Sequence, residues 1–273
     1  MGTKSTPEGA AYPPPLDRLL GLGDTGLYQR AWQDYTGMGI TARHVPDLLR
    51  MAADPELNEA PSGDRRVYAP LHAWRALGVL RAPEAAAPLV ELLVRYDDDT
   101  AREDLPRVLG MIGEAAVEPV RALLADESAE LFARVAAAHA LEQIGQRHSA
   151  LRDRAVGLLI DQLIDWPEQD ETLNAFLIDY LVELGASEAA PLMEAAFAAH
   201  AVDESVRGDW EDVMVDLSLM PERLTPRPPP WAGRMFVRDL PRPVSSPRSG
   251  KAAAKVKNRR KAEKQARKRN RRK

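Results

Sequence analysis

Apolar and polar positions follow a helical period along most of this chain. From Asp170, residues Leu173, Phe176, Leu177, Tyr180, Leu181 and Leu184 fall at i, i+3, i+4, i+7, i+8 and i+11. That spacing lays one apolar stripe along a helix and leaves the acids opposite it. Asp170 stands where a carboxylate can accept from an unpaired backbone N–H, so it is expected to cap the helix. Between 133 and 141 the stripe is mostly alanine, Ala133, Ala136, Ala137, Ala138 and Ala140 with Val135 and Leu141, which lets neighbouring helices approach closely. No strand-period alternation of useful length occurs, and an all-α fold is expected.

The stripes recur. WRALGVLRAPEAAAPLVELL (74 to 93), PRVLGMIGEAAVEPVRALL (106 to 124), AHALEQIGQRHSALRDRAVGLL (138 to 159) and DYLVELGASEAAPLMEAAF (179 to 197) align on Leu77, Leu109, Leu141 and Leu181. An aliphatic residue follows three positions later in each: Leu80, Ile112, Ile144 and Leu184. In the last three a glycine comes next, Gly113, Gly145 and Gly185, where a helix is expected to end on a left-handed residue. A second apolar helix then follows, entered through Pro88, Pro119 or Pro191, because proline near a helix start forfeits little hydrogen bonding. HVPDLLRMA (44 to 52), with Pro46 in the matching place, reads as the second helix of a degenerate unit upstream.

One helix pair cannot bury its own apolar face, so the units must stack into a solenoid. The expected organisation is an N-terminal loop with cap helices over 1–40 and a solenoid of about five helix pairs over 41–220. A Pro-rich linker over 221–250 and a basic tail over 251–273 complete it. Residues 203–220 form the acidic terminal cap, with Asp209 capping a helix that starts at Trp210. The repeat pitch, with L-x-x-[LI]-G and a proline-led second helix, resembles the HEAT-like repeats first described around phycobilisome lyases. APLHAWRALG (69 to 78), LFARVAAAHALEQIGQRH (131 to 148) and VDESVRGDWEDV (202 to 213) are similar to a bacterial HEAT-repeat family without assigned activity. The resemblance implies a right-handed α-solenoid and a surface for binding proteins, and it carries no catalytic residues with it.

Charge changes this picture only at the end of the chain. Lys251 to Lys273 holds thirteen basic residues against Glu263, a charge of +12, so the preceding 250 residues carry −16 of the net −4. The tail has no aromatic residue for base stacking and no apolar stripe for core packing or membrane insertion. Electrostatics remains: phosphate contact through Arg259, Arg260, Lys261, Lys264, Arg267, Lys268, Arg269, Arg271, Arg272 and Lys273, with little base discrimination. Folding back on the acidic body, or a solvated tail, are the other two readings.

Candidate chemistry is sparse. With no cysteine, thiol nucleophiles and cysteine-ligated metals are excluded, and a reducing, cytoplasmic setting is expected. No apolar run is long enough to span a membrane. Gly21 to Gly26 matches G-x-G-x-x-G, but no strand precedes it, so a loop between short helices is expected. Asp97, Asp98 and Asp99, with Glu103 and Asp104, read as a solvated acidic loop rather than a cation site. His44, His72, His139, His148 and His200 lack metal-ligand spacing, and His72 and His139 are expected in hydrogen-bonded packing roles.

The expected function is therefore a non-catalytic interaction scaffold without a cofactor. A protein partner would lie on the concave face among Glu91, Arg95, Arg121, Asp161 and Glu194, with the tail engaging RNA, the ribosome or another polyanion. Trp210 is either an anchor for that partner or the stopper that seals the core. The alternative is an enzyme or enzyme accessory resembling the bilin-lyase branch, holding a small ligand in the groove.

Overall fold

The 3.6-residue stripes become helices throughout. The computed structural model describes residues 12–24, 32–61, 63–96 and 98–226, and no strand occurs among them. Helices α1 (Leu19–Leu22), α2 (Val45–Ala52) and α3 (Pro55–Asn58) come first. The aligned segments then give α4 (Ala69–Val79) and α5 (Ala86–Arg95), and α6 (Asp99–Ile112) and α7 (Glu114–Ala125). They continue as α8 (Leu131–Arg147) and α9 (Arg152–Leu163), and α10 (Glu171–Glu183) and α11 (Ala190–Ala198). A last helix, α12 (Trp210–Asp216), follows.

First helices stack on first helices: α4 on α6, α6 on α8, and α8 on α10. Second helices make a parallel row, α5 against α7 and α7 against α9. Leu77, Leu109, Leu141 and Leu181 are all fully buried at their expected places in the first row. Burying each contributes roughly 1.5–3 kcal/mol relative to leaving it in water. Helix α2 packs chiefly on α4, a first helix.

Side chains set the helix starts. Asp98, Glu130 and Asp170 accept from backbone N–H groups in the first turns of α6, α8 and α10. Asp209 forms a reciprocal capping box with Asp212 at α12, as expected from the sequence. At the ends of α4 and α10, Ala82 N–H donates to Leu77 O (3.1 Å) and Ala186 N–H to Leu181 O (2.9 Å). Those bonds require a left-handed residue just before them, and Arg81 (φ 51°) and Gly185 (φ 63°) supply it.

Four expectations need correction. Gly145 does not end its helix: α8 runs on to Arg147, and a Cβ at Gly145 would lie 2.9 Å from Leu184 Cδ2. Its role is close approach rather than chain reversal. Pro119 lies inside α7 rather than leading it, because Gly113 closes α6 and α7 begins at the next residue. Asp104 is not in a solvated loop; it is fully buried on α6. The linker does not begin at 221, since Arg223 pairs with Asp209 (2.6 Å) and Asp212 (2.8 Å), and the Thr225 N–H donates to Glu211 (3.0 Å). Asp209 and the acids of α12 draw Arg223, and the segment that carries it, against the helix.

Candidate functional site: a polar column across the first helices

The repeat register that buries the leucines also builds a site. The position two residues before each repeat leucine holds Arg75, Arg107, His139 and Asp179 on α4, α6, α8 and α10. Stacking the helices aligns these into one column, basic at one end and acidic at the other. A column running across four helices is held at fixed spacing by the core beneath it.

At the basic end Arg75, almost fully buried, donates through Nε to Asp104 Oδ2 (2.8 Å), and its Nη2 stands 2.6 Å from the same oxygen. Arg107 lies 3.6 Å from Asp104 Oδ1. The Trp32 ring takes Arg75 and Arg107 at 5.3 and 5.1 Å from its centroid, in cation–π contact. Burial pushes the Asp104 carboxyl above its ordinary range, and Arg75 opposes that shift. Beside this knot His72 bridges Tyr35 Oη (2.9 Å) and Gly23 O (3.0 Å), the packing role expected of it. Gly23 follows α1, a helix and not a strand, so the dinucleotide motif lacks its context; Thr25 and Gly26 lie outside the described residues.

At the centre His139 stacks on Tyr180, with centroids 5.3 Å apart and planes 10° from parallel. Its Nε2 lies 3.7 Å from Glu142 Oε2. Glu142 occupies the register position held by Gly78 and Gly110 in the two preceding units. Those glycines allow close crossing: a Cβ at Gly78 would meet Val108 Cα at 3.3 Å, and one at Gly110 would meet Gln143 Cβ at 2.6 Å. A carboxylate here is nearly excluded from water. Burial pushes Glu142 up to about 7, against the Gln143 amide that donates to it at 2.7 Å. Burial, then the charges of Arg107 and Arg147, pull His139 down to about 4.

At the acidic end Asp179, Glu183 and Asp216 converge on Arg207, which sits between α11 and α12. Burial raises the Asp179 carboxyl, and the hydrogen bond from Arg207 opposes it. An open recess of about 300 Å³ adjoins the column at the ends of the first helices, lined by Arg81, Met111, Arg147 and His148.

The residues expected to bind a partner lie on the other row. Glu91 and Arg95 on α5, Arg121 on α7, Asp161 on α9 and Glu194 on α11 are all exposed, and no hydrogen bond or salt bridge joins any two of them. Arg121 pairs with Glu118 on its own helix at 2.8 Å, and Arg154 of α9 reaches the same carboxylate at 2.9 Å. Trp210 is half-buried at the start of α12, its ring 5.8 Å from that of Phe197. Arg259, Arg260, Lys261, Lys264, Arg267, Lys268, Arg269, Arg271, Arg272 and Lys273 lie outside the described residues. Among the described residues no group of three or more His, Asp or Glu could hold a metal, and no helix is long and apolar enough to cross a membrane.

Two stacked rows of helices, one carrying a charged column in repeat register, define an all-α protein with the packing of a helical repeat. Residues 90–224, from α5 past the end of α12, match the model of a family described as "Protein of unknown function (DUF1186)". That stretch includes Arg223 and Leu224, whose N–H donates to Glu211 of α12 (3.2 Å). No curated protein and no solved structure matches the chain.

Proposed function

We propose that this protein is a non-catalytic interaction scaffold of the cytoplasm. Its body is a right-handed HEAT-like solenoid of about five helix pairs holding a protein partner on a concave face made by the second helices, and its polybasic tail engages RNA, the ribosome or another polyanion. The observation that supports this is a division between the rows. Charges of the first row meet partners within the body, as in Arg75 of α4 with Asp104 of α6 and Asp179 of α10 with Arg207 before α12. Glu91, Arg95, Asp161 and Glu194 on the second row are exposed and form no salt bridge among the described residues. Exposed charges on a rigid frame can select a partner without destabilising the frame itself.

Co-purification from native cells tests the reading, comparing the full chain with a variant carrying Glu91→Ala, Arg121→Ala, Asp161→Ala and Glu194→Ala, with and without nuclease. A protein partner that survives nuclease and is lost from the variant supports it. A partner set unchanged by the substitutions contradicts the second-row surface.

The enzyme or enzyme-accessory reading has one observation in its favour. Glu142, poised near neutral pH beside His139, has the perturbation that acid–base groups often show. A small molecule retained through native mass spectrometry of the purified protein would favour that reading.

A further inference from the structure

The recess at the ends of the first helices has a composition unlike the rest of the body. Arg81 follows α4, Met111 belongs to α6, Arg147 is the last residue of α8, and His148 is its C-cap. No carboxylate lines it among the described residues. Many arginines elsewhere pair with acids, as Arg102, Arg121, Arg152, Arg154, Arg207 and Arg223 do, while Arg95 on α5 stands alone in solvent rather than beside a second arginine. Neither Arg81 nor Arg147 forms a salt bridge among the described residues, although the chain before the tail carries −16. Two guanidiniums without a salt bridge therefore line one recess, and the charge acting against the repulsion at Arg147 is that of Glu142, buried in the core.

Backbone geometry fixes the donors. Arg81 is held left-handed at φ 51°, with its N–H on Gly78 O (2.9 Å) and the next N–H on Leu77 O (3.1 Å). Gly185 takes the same place in the last aligned segment with less strain, so the arginine here carries a conformational cost that glycine would not. His148 Nε2 lies 2.9 Å from Gly110 O; a carbonyl only accepts, so Nε2 carries the proton and the ring is locked over the end of α6. Arg147 donates one N–H to Gln143 Oε1, which orients its fork. Partial enclosure, and then the like charge of Arg107, hold Arg147 below its ordinary range against the charge of Glu142, and a bound anion would favour the charged guanidinium further.

We propose that this recess binds a phosphoryl oxyanion, as free phosphate or a small phosphate monoester, between the guanidiniums of Arg81 and Arg147. A carboxylate has two oxygens and satisfies one bidentate fork, whereas a phosphoryl group offers three oxygens and accepts from two forks at once. A volume of about 300 Å³ accommodates such a group with a small substituent. The site uses none of the second-row residues proposed to hold a partner, so it stands whether or not the scaffold reading does.

The test is titration of the full chain with inorganic phosphate in chloride buffer, followed by thermal unfolding and calorimetry, with acetate as the comparison anion. The variants are Arg81→Gly, which suits the left-handed backbone and so keeps the fold, and Arg147→Gln. Wild type should show saturable stabilisation by phosphate and much less by acetate. Each variant should weaken phosphate binding about tenfold or more, the loss expected for one charge-assisted fork. Equal phosphate binding by wild type and Arg81→Gly would assign the effect to the tail and overturn the site. So would an acetate effect as large as that of phosphate, or no saturable effect at all.

Discussion

His139 and Glu142 stand one helical turn apart on α8 with Nε2 and Oε2 at 3.7 Å, and their proton affinities move in opposite directions. Glu142 also faces Gln143 and Arg147 of its own helix and Asp179 and Glu183 of α10; His139 faces Arg107 of α6 and Tyr180 of α10. A carboxyl raised from 4.5 to about 7 makes stability fall as pH climbs, because the unfolded chain releases that proton first. An imidazole lowered from 6.5 to about 4 makes stability rise with pH, because the unfolded chain binds that proton first. Between about pH 4.5 and 6.5 the pair holds one proton in both states, and the two effects cancel.

Each single variant should expose the other half. Relative to wild type, Glu142→Gln should gain stability on going from pH 4.5 to 6.5 and His139→Gln should lose it, each by roughly 2 kcal/mol. Urea unfolding at both pH values measures this. Parallel pH profiles for wild type and both variants would show that the pair is solvated.

Close crossing of the first helices predicts opposite outcomes for two helical glycines. Gly110→Ala forces a Cβ to 2.6 Å from Gln143 Cβ and 3.0 Å from its carbonyl carbon, so α6 and α8 must separate, at a cost of about 1–3 kcal/mol. Gly157 on α9 has nothing within 4 Å of its Cβ direction, and Gly157→Ala should stabilise by about 0.5–1 kcal/mol. Equilibrium unfolding of the two variants distinguishes crossing glycines from incidental ones.

Leu141 is fully buried where α8 meets its neighbours, among alanines too short to fill a gap. Leu141→Ala should therefore cost about 2–5 kcal/mol by chemical denaturation.

The segment after α12 should matter to stability. A chain ending at 226 keeps the contacts of Arg223 with Asp209 and of Thr225 with Glu211, and a chain ending at 220 loses both. The shorter chain should melt at lower temperature. The difference should shrink in high salt, because charge-assisted contacts carry it.

Helix placement was legible because the repeat leucines and the capping aspartates are local signals. Leu77, Leu109, Leu141 and Leu181 mark a buried register, and Asp170 and Asp209 mark starts that need no distant partner. The polar column was written at the same spacing, as Arg75, Arg107, His139 and Asp179 two residues ahead of those leucines, but a column of unlike residues does not announce itself as a repeat. Asp104 looked solvated because it follows an acidic run; only the approach of α4 brings Arg75 to it across 29 residues. Gly145 had the form of a helix terminator, and the contact with Leu184 that explains it depends on α10. In each case the missed information lay between helices rather than along one.

The central claim, a scaffold with a polyanion-binding arm, is tested most directly by RNA affinity as a function of salt for the full chain and a chain ending at Gly250. The body before that point carries −16 and should repel RNA, while the tail carries +12. The full chain should bind with little base preference, its log–log salt slope growing by about 0.7 for each single-strand phosphate neutralised. The shorter chain should lose most of that affinity while keeping its helical signal. Equal binding by the two chains, or no binding by the full chain at low salt, would contradict the account.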